Sequence, residues 1–189
     1  MAIDPTNLSA TASETFTEDF NSLNFWNGTT GLDTRPGWAQ SSQFNSGFAL
    51  WGNGEKEWYI QPGYQPTASA DPFSVNNGVL TISAKPTDPS LLPSVSYQPY
   101  TSGFVATYHE FAQQYGYFEM RAQMPAGKGL WPNFYLLPED NSWPPEIDVM
   151  EMLGQPTTTL YTSFHSQVSG ANQVGPVIIT RPERKRSPI

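Results

Sequence analysis

The stretch Trp143–Gly154, WPPEIDVMEMLG, places three carboxylates, Glu146, Asp148 and Glu151, within six residues. Between them stand Ile147, Val149 and Met150, which read as core side chains, and no basic residue accompanies them. Strand side chains alternate between two faces, so Glu146 and Asp148 share one face and Ile147 and Val149 take the other. Glu151 lies five positions from Glu146 and falls on the wrong face of a regular strand. A one-residue β-bulge near Met150 resets that parity and returns Glu151 to the Glu146 face. The sequence predicts this bulge. Like charges held this close cannot all ionise freely, and such a cost marks working sites.

Two carboxyls on one face can flank a glycosidic bond. Retaining hydrolysis wants them about 5–5.5 Å apart, one as nucleophile and the other as acid and then base. Four regular strand steps span roughly 13 Å between Cα atoms, so the strand has to curve concavely. Asp148, between the glutamates, can share a proton or hydrogen bond with Glu146 and help split the proton affinities of the pair. Two other readings fit the same three acids: a calcium site built from oxygen ligands, and an exposed acidic strand face.

The rest of the chain sets the frame. Its 189 residues are one domain's worth, enough to bury a core. Only 14% of residues are charged, whereas aromatics reach 14% and the chain has 15 Gly and 18 Pro, a balance that favours an all-β fold. A net charge of −8 speaks against a nucleic-acid surface, which needs a basic stripe. With no cysteine there is neither a disulfide nor a thiolate metal site, and two histidines, His109 and His165, do not make a multi-histidine zinc centre. No run approaches the roughly 18 apolar residues of a membrane span. The N-terminus lacks the basic and apolar regions of a Sec-type signal.

Residues 1–13 read as a flexible lead-in, 14–180 as the folded domain, and 181–189 as a basic tail. Short alternating segments between turn signals suggest strands. They are TFTEDF, with Phe16 and Phe20 inward, NGVLTISAKP after an Asn77-Gly78 turn, YGYFEMRAQMP, LWPNFYLLP, EIDVMEML and TLYTSFHSQ. PTDPSLLPSVSYQP reads as a Pro-rich loop. Strands at this spacing suggest a sandwich or jelly roll. The tail holds four of the nine basic residues, Arg181, Arg184, Lys185 and Arg186, and reads as a solvated or foreign end more than as a nucleic-acid patch.

From Phe111 to Gly154 the chain resembles the core of glycoside hydrolase family 16. The Y-G-x-F-E-x-R strand, the P-x-G-x-G-L-W-P turn and the E-I-D-x-x-E strand occur in order, and NGEKEWY and VNNGVLTISA match segments further upstream. The resemblance implies a β-sandwich jelly roll of two antiparallel sheets with a concave substrate cleft. It implies Glu146 as nucleophile, Asp148 as supporting acid and Glu151 as general acid/base. The spaced E-I-D-x-x-E form is similar to the bulged branch of laminarinases and agarases, whereas the unbulged E-I-D-x-E marks lichenases and xyloglucan enzymes. The substrate implied is a β-glucan such as laminarin, mixed-linkage glucan or a succinoglycan-like exopolysaccharide.

By the same resemblance, Trp131, Trp143, Asn53, Glu55 and His165 contact the polysaccharide. No cofactor is required, and a structural Ca²⁺ would sit near Glu18 and Gly78. The expected partners are a polysaccharide, with no nucleic acid and no membrane, and the expected location is extracellular without a visible Sec signal. A transglycosylase and a non-catalytic, lectin-like copy are the alternatives. Members of the family continue further beyond the acidic strand, whereas this chain ends 38 residues after Glu151. The sequence therefore expects missing C-terminal strands: a monomer if complete, and association through exposed edges and apolar faces if not.

Overall fold

A computed structural model of the chain describes residues 2–25, 31–32, 54–62, 65–108, 110–140, 142–155, 157–168 and 171–180. Asn53 and the basic tail 181–189 lie outside them. The chain divides into two compact units, Met1–Tyr117 and Phe118–Ile189.

The first unit opens with a single helical turn, α1 (Leu8–Thr11), and continues without a strand through residues 12–20. The expected TFTEDF strand does not form. Phe20 adopts φ +50°, which breaks an extended run, and Phe16 instead stacks on Phe111 with ring centroids 4.8 Å apart. Five short strands follow: β1 (Glu57–Tyr59), β2 (Phe73–Asn76), β3 (Val79–Ile82), β4 (Lys85–Pro86) and β5 (Tyr100–Ser102). β2 and β3 form the expected hairpin, and Asn77 and Gly78 take the two positive φ angles that a tight turn between twisted strands requires. In the sheet β1–β5–β4 the β1–β5 pair runs parallel, with Glu57 opposite Tyr100. The Pro-rich segment is more ordered than a loop, for Pro89–Val95 coils into a 3-10 helix capped by Asp88, which accepts from the Ser90 N–H. It delivers Val95 onto Trp58 and Ile60, the buried cluster of this unit.

YGYFEMRAQMP, which runs from the end of the first unit into the second, forms no ladder over 117–124. Alternation equips a segment for a sheet, but a strand exists only where a neighbour supplies its hydrogen bonds. Four strands do pair, in the order β6 (Asn133–Leu136), β7 (Glu146–Glu151), β8 (Thr159–Val168) and β9 (Ala171–Thr180), all antiparallel. β8 is laddered along its whole length to β9, from Thr159 opposite Thr180 to Val168 opposite Ala171. Sequence reading missed β9 as a strand.

Ile147 and Val149 are not core residues. They are 44% and 37% exposed, and Phe164, opposite Ile147 on β8, is 49% exposed. Alternation marks this face as apolar, but the burial of a sheet face is set by what packs against it and not by the strand's own pattern.

Candidate active site

β7 carries the three acids, and its irregularity decides where they point. Asp148 pairs with Ser163 and Glu151 with Tyr161, so three steps on β7 are matched by two on β8. On the other side Asp148 pairs with Tyr135 and Met150 with Phe134. One extra residue is thus inserted at Val149–Met150, where the parity argument predicts the bulge. Residues directly opposite in an antiparallel pair share a face. Glu146, Asp148 and Glu151 therefore line one face together with His165, Ser163 and Tyr161 from β8 and Tyr135 and Asn133 from β6.

Glu146 and Asp148 are buried, at 6% and 5% exposure, and Glu151 is half-buried. Each glutamate accepts from an indole: Trp143 Nε1 lies 2.7 Å from Glu146 Oε2, and Trp131 Nε1 lies 3.1 Å from Glu151 Oε1. Asp148 Oδ2 accepts the Ser163 hydroxyl and lies 2.8 Å from His165 Nε2. Its backbone carbonyl accepts the Thr162 hydroxyl at 2.7 Å. Burial pushes the proton affinity of Glu146 up, the Trp143 N–H opposes it, and the neighbouring Asp148 carboxylate adds to the rise. Glu151 is raised in the same sense, by burial first and then by Asp148, against the Trp131 N–H. Two carboxyls of raised proton affinity thus share one face with a third that lies between them along the strand.

Glu146, Asp148 and His165 present ligand-type atoms all within 4.8 Å of one another, the donor types of a small metal site. In the same cluster Glu146 accepts the Trp143 indole N–H, and Asp148 Oδ2 meets both the Ser163 hydroxyl and the His165 imidazole.

The expected site residues Trp131, Trp143, Glu146, Asp148, Glu151 and His165 come together here. His165 engages Asp148, and its ring lies 5.8 Å from that of Trp143. Both tryptophans keep open ring surface, at 43% and 39% exposure. Glu55 belongs to the first unit, where the Tyr59 hydroxyl lies 2.8 Å from it and 3.2 Å from Glu57. Glu18 and Gly78 are also there. Glu18 accepts the Phe20 N–H at 2.7 Å, and Gly78 lies against the Asp19 carbonyl. Calcium takes about six to eight oxygens, and among the described residues Glu18 belongs to no group of three or more ligand-type side chains.

Sequence reading missed Ser163 and Thr162. The signal was in the hairpin: counting back from His165 opposite Glu146 places Ser163 opposite Asp148.

The family described as "Glycosyl hydrolases family 16" matches residues 60–185. The chain is 51% identical over 160 residues to Endo-1,3-1,4-beta-glycanase ExsH of Rhizobium meliloti (strain 1021), covering 84% of this chain and 34% of that one. It is 50% identical over 159 residues to Endo-1,3-1,4-beta-glycanase EglC of the same organism, covering 84% and 33%. The chain thus spans about a third of the length of these curated relatives. Among solved structures, the catalytic domain of an endo-1,3-beta-glucanase (laminarinase) from Thermotoga petrophila RKU-1 superposes with a TM-score of 0.62 at 30% identity, over 88% of this chain and 61% of that one. The all-β jelly-roll sandwich expected from the sequence agrees with this likeness.

Proposed function

The chain belongs to glycosyl hydrolase family 16, and on that premise we propose that it acts as a retaining endo-β-glycanase on a β-glucan-type polysaccharide. The observation that carries this reading is the bulge at Val149–Met150, which sets Glu146 and Glu151 on one face with Asp148 between them. Glu146 acts as nucleophile on the anomeric carbon. Glu151 protonates the departing oxygen and then takes a proton from the water that cleaves the glycosyl-enzyme. Asp148, held by Ser163 and His165, stands beside Glu146 and raises its proton affinity.

The open faces of Trp131 and Trp143 suit the C–H faces of sugar rings. A mixed β-1,3-1,4-linked glucan is the favoured substrate, supported by the names of the two Rhizobium relatives. Such a polymer places the work outside the cell. The test is reducing-end release from lichenan, laminarin and succinoglycan. Activity on one polymer that Glu146→Gln abolishes supports the proposal, and activity unchanged in that variant overturns it.

A further inference from the structure

We infer that Trp131 is a positioning residue for Glu151: its indole N–H takes one carboxyl oxygen and so leaves the other to carry the proton exchanged with substrate. This rests on the reading of Glu151 as acid/base. The indole nitrogen is a donor only, so its 3.1 Å contact makes Glu151 Oε1 the acceptor. A carboxyl that accepts on one oxygen keeps its own proton on the other, here Oε2.

The backbone around Trp131 is built to hold this contact. The Gly154 N–H donates to the Leu130 carbonyl at 2.7 Å, and the Met152 N–H donates to the Pro132 carbonyl at 3.0 Å. Both neighbours of Trp131 are therefore tied to the chain that leaves Glu151. A third bond, from the Gly127 N–H to the Gly154 carbonyl at 3.1 Å, closes the turn. Trp131 itself is 43% exposed, so core burial does not account for its position.

The titratable groups that share the Glu151 face are Glu146 and Asp148 on its own strand, His165 and Tyr161 on β8, and Tyr135 on β6. Beside them the Trp131 N–H hydrogen-bonds Glu151 and favours its charged form. In the first step the Oε2 proton passes to the glycosidic oxygen, which leaves with the electron pair of the broken C1–O bond while a Glu146 oxygen bonds to C1. In the second, water bonds to C1, its proton returns to Oε2, and the C1–Glu146 bond breaks. The indole remains on Oε1 throughout.

The test compares Trp131→Phe, which keeps an aromatic face and loses the N–H, on the polymer that the wild type cleaves and on a dinitrophenyl β-glycoside, whose leaving group needs no proton. On the polymer, kcat is expected to fall about tenfold, and the high-pH limb of kcat/KM to move to higher pH. The burst of dinitrophenol should fall several-fold less than the polymer rate does, because that leaving group needs no proton from Glu151. A raised KM with an unmoved limb, or an equal loss on both substrates, overturns the inference and leaves Trp131 as a stacking surface. Glu151→Gln on the same pair tests the underlying reading separately, because undiminished polymer cleavage there removes the acid/base role itself.

A measurement on the unaltered protein guards against misfolding of the variant. One of the six indole N–H resonances should titrate with Glu151 and stop doing so in Glu151→Gln. If none does, the inference fails.

Discussion

Ser163 donates its hydroxyl to the same Asp148 oxygen that His165 reaches from two positions further along β8. Both come from one face of one strand, so the register of β7 on β8 fixes the environment of the middle acid. Ser163→Ala removes one of these donors from a buried acceptor. It should destabilise the chain by about 1–2 kcal/mol and lower kcat more than it raises KM. Urea unfolding and initial rates on the preferred polymer measure both effects.

Trp143→Phe should act on the opposite side of the pH profile from Trp131→Phe. Its N–H opposes the rise in Glu146 proton affinity, so its loss raises that affinity further. The nucleophile must be ionised to attack, and the acid limb of kcat/KM should therefore move to higher pH. A profile that only scales down would assign Trp143 to stacking alone.

The two raised carboxyls also tie stability to pH. Folding raises the proton affinity of Glu146 and Glu151 above the ordinary value near 4.5, so the folded chain binds more protons than the unfolded chain just above that value. Stability should fall as pH rises through that window and level off beyond the raised values. Glu146→Gln removes a large part of the dependence, and its melting temperature should exceed the wild-type value at pH 7 and approach it near pH 4. A variant less stable at neutral pH would contradict this.

Gly154 permits the close approach that ties the turn to β7. A Cβ there would clash with the Gly127 carbonyl oxygen, a backbone atom that cannot step aside cheaply. Gly154→Ala should cost about 2–3 kcal/mol and reproduce part of the Trp131→Phe phenotype. Thermal unfolding and the pH profile read the two consequences.

Much of the site was legible before the fold. Three acids, a parity conflict at Glu151 and flanking tryptophans suffice to predict a bulge, and the bulge lies at Val149–Met150. Local alternation carries that information because the side-chain period of a strand is two. What it does not carry is which partner a segment finds. Tyr117–Met124 alternates well and forms no ladder, and Ile147 sits on an apolar face yet stays exposed. Ser163 escaped for the same reason, since a lone serine acquires meaning only once the β7–β8 register is known.

The full-length pairing of β8 with β9 sets a hierarchy of lifetimes in the second unit. β8 is an inner strand, flanked by β7 and by ten paired residues of β9, and it has the longer ladder of the two inner strands, so its amides should be the last to exchange with deuterium. Ser163 and His165 ride on that slow strand, whereas Trp131 belongs to a turn held at three backbone points. The middle acid is thus anchored to the most persistent part of the sheet, and the outer one takes its guidance from a part that opens sooner.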